Sequence, residues 1–337
     1  MTAIGTRVLA GDVGGTKTVL SLYERSAIPG GTAAWREVAT TTFPSASHAG
    51  LEAPTSAFLD AAGAAPVAAA FGVAGPVKDG RCHTTNLPWL IDAGALSAAL
   101  RIPRVGVIND FEATARGLLE LEAHEVVVVQ EGIVDPTGPV AVLGAGTGLG
   151  EAILVRTPAG LQVLPTEGGH ASFAPRDAIE DGLLTFLRER YPDHVSYERV
   201  LSGPGLATVY EYVIARGLAA STPETLERLR TDDPAAVVGE LGTTGADPAC
   251  ARALATFVSV YGSEAGNLAL KTLPSGGLFV SGGIAPKILP ALRTGAFVAS
   301  FLAKGRMRAL LETIRVSVVI EPRVGLHGAR SLAASLA

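Results

Sequence analysis

Two carboxylates stand where apolar runs stop. Val105, Val107 and Ile108 lead into Asn109-Asp110, and an alanine-rich helical pattern begins at Phe111. Arg7 to Gly11 ends in the same way at Asp12, and Gly14-Gly15-Thr16 follows. A strand that ends in a carboxylate puts that group at the carboxyl edge of a sheet, where open α/β sheets bind their ligands. Asp110 is able to cap the helix behind it, a role aspartate fills well. It is equally able to accept a proton from an attacking hydroxyl. With glycine-rich turns on both sides of it in the chain, the base is the favoured reading.

The glycine turns suggest what is attacked. Asp12-Val-Gly-Gly-Thr-Lys-Thr18 is not a Walker A motif, because Thr16 fills the place of the glycine before the lysine and a strand, not a helix, follows. It reads as a hairpin whose Gly14 and Gly15 amides approach a phosphate, with Thr16 as a hydroxyl donor. Asp12 then faces the accompanying Mg2+ through water. The plain alternative is an ordinary turn, where Asp and Gly are common. The same order recurs at Val140 to Leu143, then Gly144-Ala-Gly146-Thr147-Gly148-Leu-Gly150, then Glu151 to Val155. A dinucleotide fold needs a helix after such glycines. The strand-like run here favours a second phosphate hairpin. Ser281-Gly282-Gly283-Ile284 follows the strand Leu278 to Val280 and is expected to open a helix. Its bare backbone suits an adenine or ribose, or else is only a helix start.

A third group surrounds two more glycines. Glu167 and His170 lie in LPTEGGHAS, and Glu198 lies in SYERVLSGPG. As metal ligands they lack a paired-histidine motif such as HExxH. Two carboxylates and an imidazole suit a polyhydroxy substrate better, although a lone histidine is more often structural. No GxSxG elbow argues for acyl transfer.

These residues need elements to hold them. The pattern predicts strands at 7–11, 18–23 and 35–42 in an antiparallel meander, a helix at 50–62, and a buried strand at 67–73. Asp92 is expected to cap a helix at 93–100. Helices dominate from Glu180, at 180–190, 205–216, 223–230 and 250–271. Strands are expected at 276–280 and 316–320 and a terminal helix at 326–336. One strand–glycine turn–strand unit thus repeats, once per domain, and the helix at Phe111 is the first candidate for the crossing between domains. The 337 residues agree with two domains, and 48% hydrophobic content supplies a large core. The net charge of −5 leaves no basic footprint for nucleic acid. Cys82 and Cys250 read as free thiols in a reducing cytoplasm. No signal-peptide pattern and no run suited to a membrane span is evident.

The chain resembles the bacterial glucokinases of the hexokinase–actin–Hsp70 ATPase superfamily almost end to end. The resemblance is carried, in family order, by LAGDVGGTKT, FGVAGPV, TTNLPW, VINDFEATARGL, LGAGTGLGEA, LPTEGGHASFAPR, YERVLSGPGL, GNLAL and VSGGIAPKI. Lys17 stands where many members carry asparagine. The cysteine-rich zinc segment of the related repressor–kinase group is absent, which favours the zinc-free branch.

The resemblance implies an α/β fold of two RNase H-like domains around a central cleft. Residues 1–110 form one, completed by a C-terminal helix at 323–337, and 111–322 form the other. It implies that ATP and Mg2+ are used on glucose, that Asn86, Asn109, Glu167, His170 and Glu198 bind the sugar, and that Asp110 takes the proton from its 6-hydroxyl. Asp12, Gly14, Gly15 and Thr16 would hold phosphate, as would Gly144, Gly146, Thr147 and Gly148, with Gly282 and Gly283 by adenosine. Homodimers are usual in the family. Closure of the domains over the sugar would exclude water.

Three rivals remain at this level. One is a kinase for mannose, N-acetylglucosamine or fructose, since Glu167 and His170 do not identify the 2-position of a ring. Another is a non-catalytic sugar sensor, against which both Asp12 and Asp110 are retained. The third is an actin- or Hsp70-like ATPase, which gives no reason for Glu167, His170 and Glu198. The donor, whether ATP, ADP or polyphosphate, is not specified by sequence.

Overall fold

A computed structural model describes residues 5–26, 34–84, 87–158 and 160–337. The chain divides into two compact units, Met1–Glu122 with Glu321–Ala337, and Ala123–Ile320.

In the first unit, β1 (Arg7–Val13), β2 (Lys17–Ser26) and β3 (Ala34–Pro44) form the expected antiparallel meander. β4 (Ala68–Val73) pairs parallel with β1. Three short strands, β5 (Val77–Lys78), β6 (Arg81–His83) and β7 (Leu90–Asp92), make a separate small sheet. β8 (Arg104–Asn109) then pairs parallel with β4 and gives the order β3-β2-β1-β4-β8.

Alternation along the strands sorts side chains onto two faces. Leu9, Val13, Ala69, Phe71 and Val73 pack under α1 (Glu52–Ala62) and α2 (Ala93–Leu100) with Phe58, Leu59 and Leu96. Asp92 caps α2 as expected, accepting from the Ala95 amide. Val8, Ala10, Ala68 and Ala70 face the opposite way, onto Leu326, Ala329 and Ala333 of the C-terminal helix Val324–Leu336.

The second unit repeats the plan. β9 (Val126–Gln130) precedes the meander β10 (Val140–Ala145), β11 (Leu149–Thr157) and β12 (Gly160–Thr166); β13 (Leu278–Ser281) and β14 (Val316–Val319) follow. The sheet order is β12-β11-β10-β13-β14-β9. Its first five positions match the first unit strand for strand, so the repeat expected from the glycine turns is present. Helices α3 (Asp110–Gly117) in the first unit and α4 (Ala178–Arg190), α5 (Gly203–Ala215), α6 (Pro223–Thr231), α7 (Pro234–Thr244) and α8 (Pro248–Thr272) in the second are joined by shorter α9 (Leu289–Leu292), α10 (Ala296–Leu302) and α11 (Arg308–Leu311). Ala141, Leu143 and Ala145 of β10 share a core with Leu206 and Val209 of α5 and Leu254, Phe257 and Tyr261 of α8. Among the described residues no helix is long and apolar enough to cross a membrane.

Two expectations need correction. The chain passes between units at 122/123 and 320/321, not at 110/111 and 322/323. The helix after Asp110 therefore belongs to the first unit and is not the crossing point. It stays there because it lies backbone to backbone against the C-terminal helix: a Cβ on Gly328 would overlap the Ala113 carbonyl, and one on Gly117 would overlap the Val324 carbonyl. In the second unit no helix opens at Ser281-Gly-Gly. A run of turns fills 282–288, and the first helical residue after it is Leu289.

Candidate active site

In the first unit, the chemistry-bearing residues gather at the carboxyl edge of the sheet. Asp12 is the last residue but one of β1, Asn109 ends β8, and β4 lies between the two strands. In register, Asp12 is opposite Gly72 and Asn109 opposite Val73. Gly72 keeps that gap narrow. A Cβ there would come within 2.8 Å of the Ala113 Cβ and 3.8 Å of the Asp110 Cα. Any side chain at 72 would push Asp110 and its helix away from β1.

The helix cap falls to Asn109, not Asp110, because the first helical turn begins at Asp110 itself. Asn109 Oδ1 accepts from the amides of Phe111 (2.8 Å) and Glu112 (3.3 Å), and its Nδ2 donates to the Gly75 carbonyl at 3.0 Å. Asp110 Oδ1 also accepts from the Phe111 amide, at 2.8 Å. Asp110 remains open to solvent, yet the protein mass around it raises its pKa above the ordinary carboxylate value. Hydrogen bonds from the Phe111 amide, its own amide and the Asn109 side chain oppose that rise. Burial, then the negative charge of Asp110, push the Asp12 carboxyl from 3.8 to about 6, with Lys17 opposing. A half-buried carboxyl raised in part by a neighbouring charge is a group that a divalent cation would relieve, so Asp12 fits Mg2+.

The first glycine turn spans Gly14 to Thr16. The Gly14 amide donates to the Lys17 carbonyl at 3.0 Å. Ser45 braces the turn from below: its amide donates to Thr16 O (3.0 Å) and its hydroxyl to Gly14 O (2.7 Å), with Thr18 Oγ1 2.9 Å away. Thr16 and Lys17 are exposed. No signal in the sequence singles out Ser45, which sits in a polar stretch after β3.

The second turn is shorter than expected, Gly146 to Gly148, because Gly144 and Gly150 pair within the strands. Its surroundings hold it from three sides. The Gly203 amide donates to Gly146 O at 2.8 Å, the Ala145 amide donates to the Tyr261 hydroxyl at 3.0 Å, and the Leu149 amide donates to Glu198 Oε2 at 3.0 Å. Gly282 lies against this hairpin. Its φ of +87° and a Cβ position that would overlap Ala145 leave room for glycine alone. The Ile284 amide then donates to Ala145 O at 3.2 Å. Gly282 and Gly283 therefore adjoin the Gly144–Gly148 hairpin.

Glu167, His170 and Glu198 come together beside the same hairpin. The turn holding Glu167 and His170 runs alongside residues 194–198: the Tyr197 amide donates to Ala171 O (2.9 Å) and the Phe173 amide to Val195 O (2.9 Å). Glu167 and His170 are exposed, their side chains 3.9 Å apart, and Glu198 is half-buried. Three hydrogen-bonding groups at a ligand-accessible edge suit sugar hydroxyls. Among the described residues no group of three or more His, Cys, Asp or Glu side chains could hold a metal ion. Asn86 lies outside the described residues. Asp12, Gly14, Gly15, Thr16, Asn109 and Asp110 thus belong to the first unit, and Gly144, Gly146, Thr147, Gly148, Glu167, His170, Glu198, Gly282 and Gly283 to the second.

Two open sheets of one strand order, each opening on a threonine-bearing glycine hairpin, define the actin-like ATPase fold. A family model described as Glucokinase matches residues 9–336, and a glucokinase of Nostoc sp. is 40% identical over 98% of this chain and 100% of its own. The chain belongs to the glucokinase family. A crystal structure of glucokinase from an Antarctic psychrotroph matches with a TM-score of 0.84 at 34% identity, covering 98% of this chain and 99% of that one. A ROK family glucokinase from Streptomyces griseus, in complex with glucose and AMPPNP, shares the fold at a TM-score of 0.65 and 21% identity, with 98% and 99% covered.

Proposed function

We propose that this protein transfers the γ-phosphoryl group of ATP to the 6-hydroxyl of glucose, with Asp110 as the general base. The observation that carries the reading is the pair Asp12 and Asp110, held across Gly72 at one sheet edge beside a glycine hairpin, in a chain of the glucokinase family. Phosphoryl transfer asks for positioning and charge neutralisation and needs no covalent nucleophile.

In this reading the amides of the two glycine hairpins and the Thr16 and Thr147 hydroxyls bind the donor phosphates, and Gly282 and Gly283 take the adenosine. Asp12 would hold Mg2+, which would supply neutralisation of phosphate charge. Glu167, His170, Glu198, Asn109 and Asn86 hold the sugar hydroxyls. Asp110 accepts the 6-hydroxyl proton as that oxygen bonds to phosphorus. Its raised pKa makes it a better acceptor than an ordinary carboxylate, and the Asn109 cap fixes its backbone. The same family membership supports a cytoplasmic homodimer, which light scattering on the purified protein would test.

The experiment is ADP release with ATP and Mg2+ across glucose, mannose, fructose and N-acetylglucosamine, for the parent and Asp110→Asn. We expect glucose to be preferred, and the variant to bind glucose while turning over roughly 10²- to 10⁴-fold more slowly. Near-parental turnover by Asp110→Asn would remove Asp110 from the chemistry. Activity on none of the sugars would return the protein to a sensor.

A further inference from the structure

Beneath the turns that carry Glu167, His170 and Glu198 lie two buried acids that the chemistry above does not use. Glu151 on β11 is 3% exposed and Glu264 on α8 is 0% exposed. Their carboxyls face one another. Each keeps one oxygen, Oε1, that no hydrogen-bond donor reaches. Two ionised carboxylates so placed repel each other in a medium that screens poorly, and each also loses its hydration. A single proton between them removes one charge and supplies the missing donor.

The surroundings do not supply it otherwise. On α8, Asn267 Nδ2 donates to Glu264 Oε2 at 2.8 Å, and Lys271 Nζ lies 3.9 Å from Glu264 with 59% of its side chain exposed, so that pairing is weak. The buried Tyr261 hydroxyl also faces Glu151, but its proton is directed to the Ser281 carbonyl at 3.4 Å while its oxygen accepts from the Ala145 amide. From the turn at Tyr197–Arg199, the Tyr197 hydroxyl bonds Glu264 and receives Asn267 Nδ2 at 3.0 Å. From the segment after α10, Lys304 acts on Glu264 at longer range and is committed to Asn267 Oδ1 (2.6 Å), with Arg176 and Glu180 acting on it in turn. Burial is the largest influence on both acids and raises both.

We propose that Glu151 and Glu264 share one proton, and that this acid pair is a positioning strut joining the two sugar-holding turns. On one side, Thr166 Oγ1 donates to Glu151 O (3.0 Å) and accepts from the Gly168 amide (3.1 Å). Gly168 packs so closely on the Glu151 carboxyl that a Cβ there would overlap it. On the other side, Glu264 is bonded to Tyr197, whose neighbour Glu198 accepts from the Leu149 amide, two residues before Glu151. The strut thus closes a ring through β11, α8 and both turns. Loss of the shared proton sets two negative charges against each other inside that ring and drives the turns apart.

The inference rests on Glu167, His170 and Glu198 as sugar ligands, and its test separates the two. Glucose KM, ATP KM and kcat are measured from neutral to alkaline pH for the parent, Glu151→Gln and Glu264→Gln, with His170→Ala as control. The parent's glucose KM should climb with pH, by at most about tenfold per pH unit, while its ATP KM moves less. Either glutamine supplies an N–H donor to the remaining carboxylate, so both variants should fold, keep kcat and show a flat glucose KM. The infrared carbonyl band of a protonated carboxylic acid should be present in the parent at neutral pH and absent from each glutamine variant. A flat parent profile, an alkaline rise retained by either variant, or no such band would overturn the strut. An unchanged glucose KM in His170→Ala would instead overturn the sugar assignment, and the infrared band would still decide whether the proton is shared.

Discussion

Asp12 is where stability and catalysis pull against each other. Its carboxyl is raised from 3.8 to about 6 in the folded protein, so between those pH values the folded state holds a proton that the unfolded chain releases. Stability contributed by this group is therefore greatest below about pH 4 and declines as pH rises to about 6, by roughly 3 kcal/mol in all. Asp12→Asn should accordingly melt at a higher temperature than the parent at neutral pH, and the two melting curves should converge near pH 4. The same variant should lose ATP-dependent turnover. In the parent, the ATP KM should rise as pH falls through about 6, where Asp12 takes up its proton; a flat acid limb would detach Asp12 from the donor. Both aspartates were legible in the sequence because each ends an apolar run. Gly72, Ser45 and the Glu151–Glu264 pair were not. Gly72 hides in an apolar strand, and Ser45 acts on a turn about thirty residues away (Gly14 O accepts its hydroxyl). The glutamates meet from β11 and α8, which no local pattern relates. Gly72→Val is expected to fold poorly or to lose turnover outright, read by circular dichroism beside the ADP assay.

The C-terminal helix is the element on which the first half of the site leans. It buries Leu326, Ala329 and Ala333 against Val8, Ala10, Ala68 and Ala70, and its Gly328 lies on the backbone of α3, whose first residue is Asp110. Leu326→Ala should cost about 2–4 kcal/mol in a urea titration, and turnover should fall with it below the unfolding midpoint if the helix seats α3. A variant with parental stability would mean that Leu326 adds little to this face. Both glycine hairpins and most helices followed from pattern, since strand–glycine–strand and capped helices are local signals. The helix Pro234–Thr244 carries a weak sequence signal, although Asp233 caps it and Pro234 opens it, because its alanine, glycine and threonine content gives a shallow apolar stripe. The edge strands Val126–Gln130 and Gly160–Thr166 are hard to read from sequence for a related reason. The first is half-buried along its length and the second is mostly exposed apart from Val163, so neither carries a clear two-residue period. The segment after Ser281 looked helical because glycines before an apolar run often are, but the turn that meets Ala145 takes precedence there.

The two units differ in how the chain supplies them. Ala123–Ile320 is one continuous stretch with its own core, whereas the first unit draws on Met1–Glu122 and Glu321–Ala337. Residues 123–320 made alone should therefore unfold cooperatively, and residues 1–122 alone should not until a peptide of 321–337 is added. Cooperative melting of the shorter fragment by itself would contradict this division. The boundary was misplaced from sequence because Asp110 begins a helix, and a helix start gives no sign of which neighbour it will pack against. During synthesis the split has a temporal meaning. Chains grow from the amino end and domains fold as they emerge, so residues 123–320 are complete while the sheet edge bearing Asp12 and Asp110 still lacks its supporting helix. A chain released early at the ribosome would carry the glycine hairpin and both aspartates yet have no assembled edge to use them. Phosphoryl transfer thereby waits on the emergence of residues 321–337, and copies lacking them are left unfolded at one end, within reach of proteases.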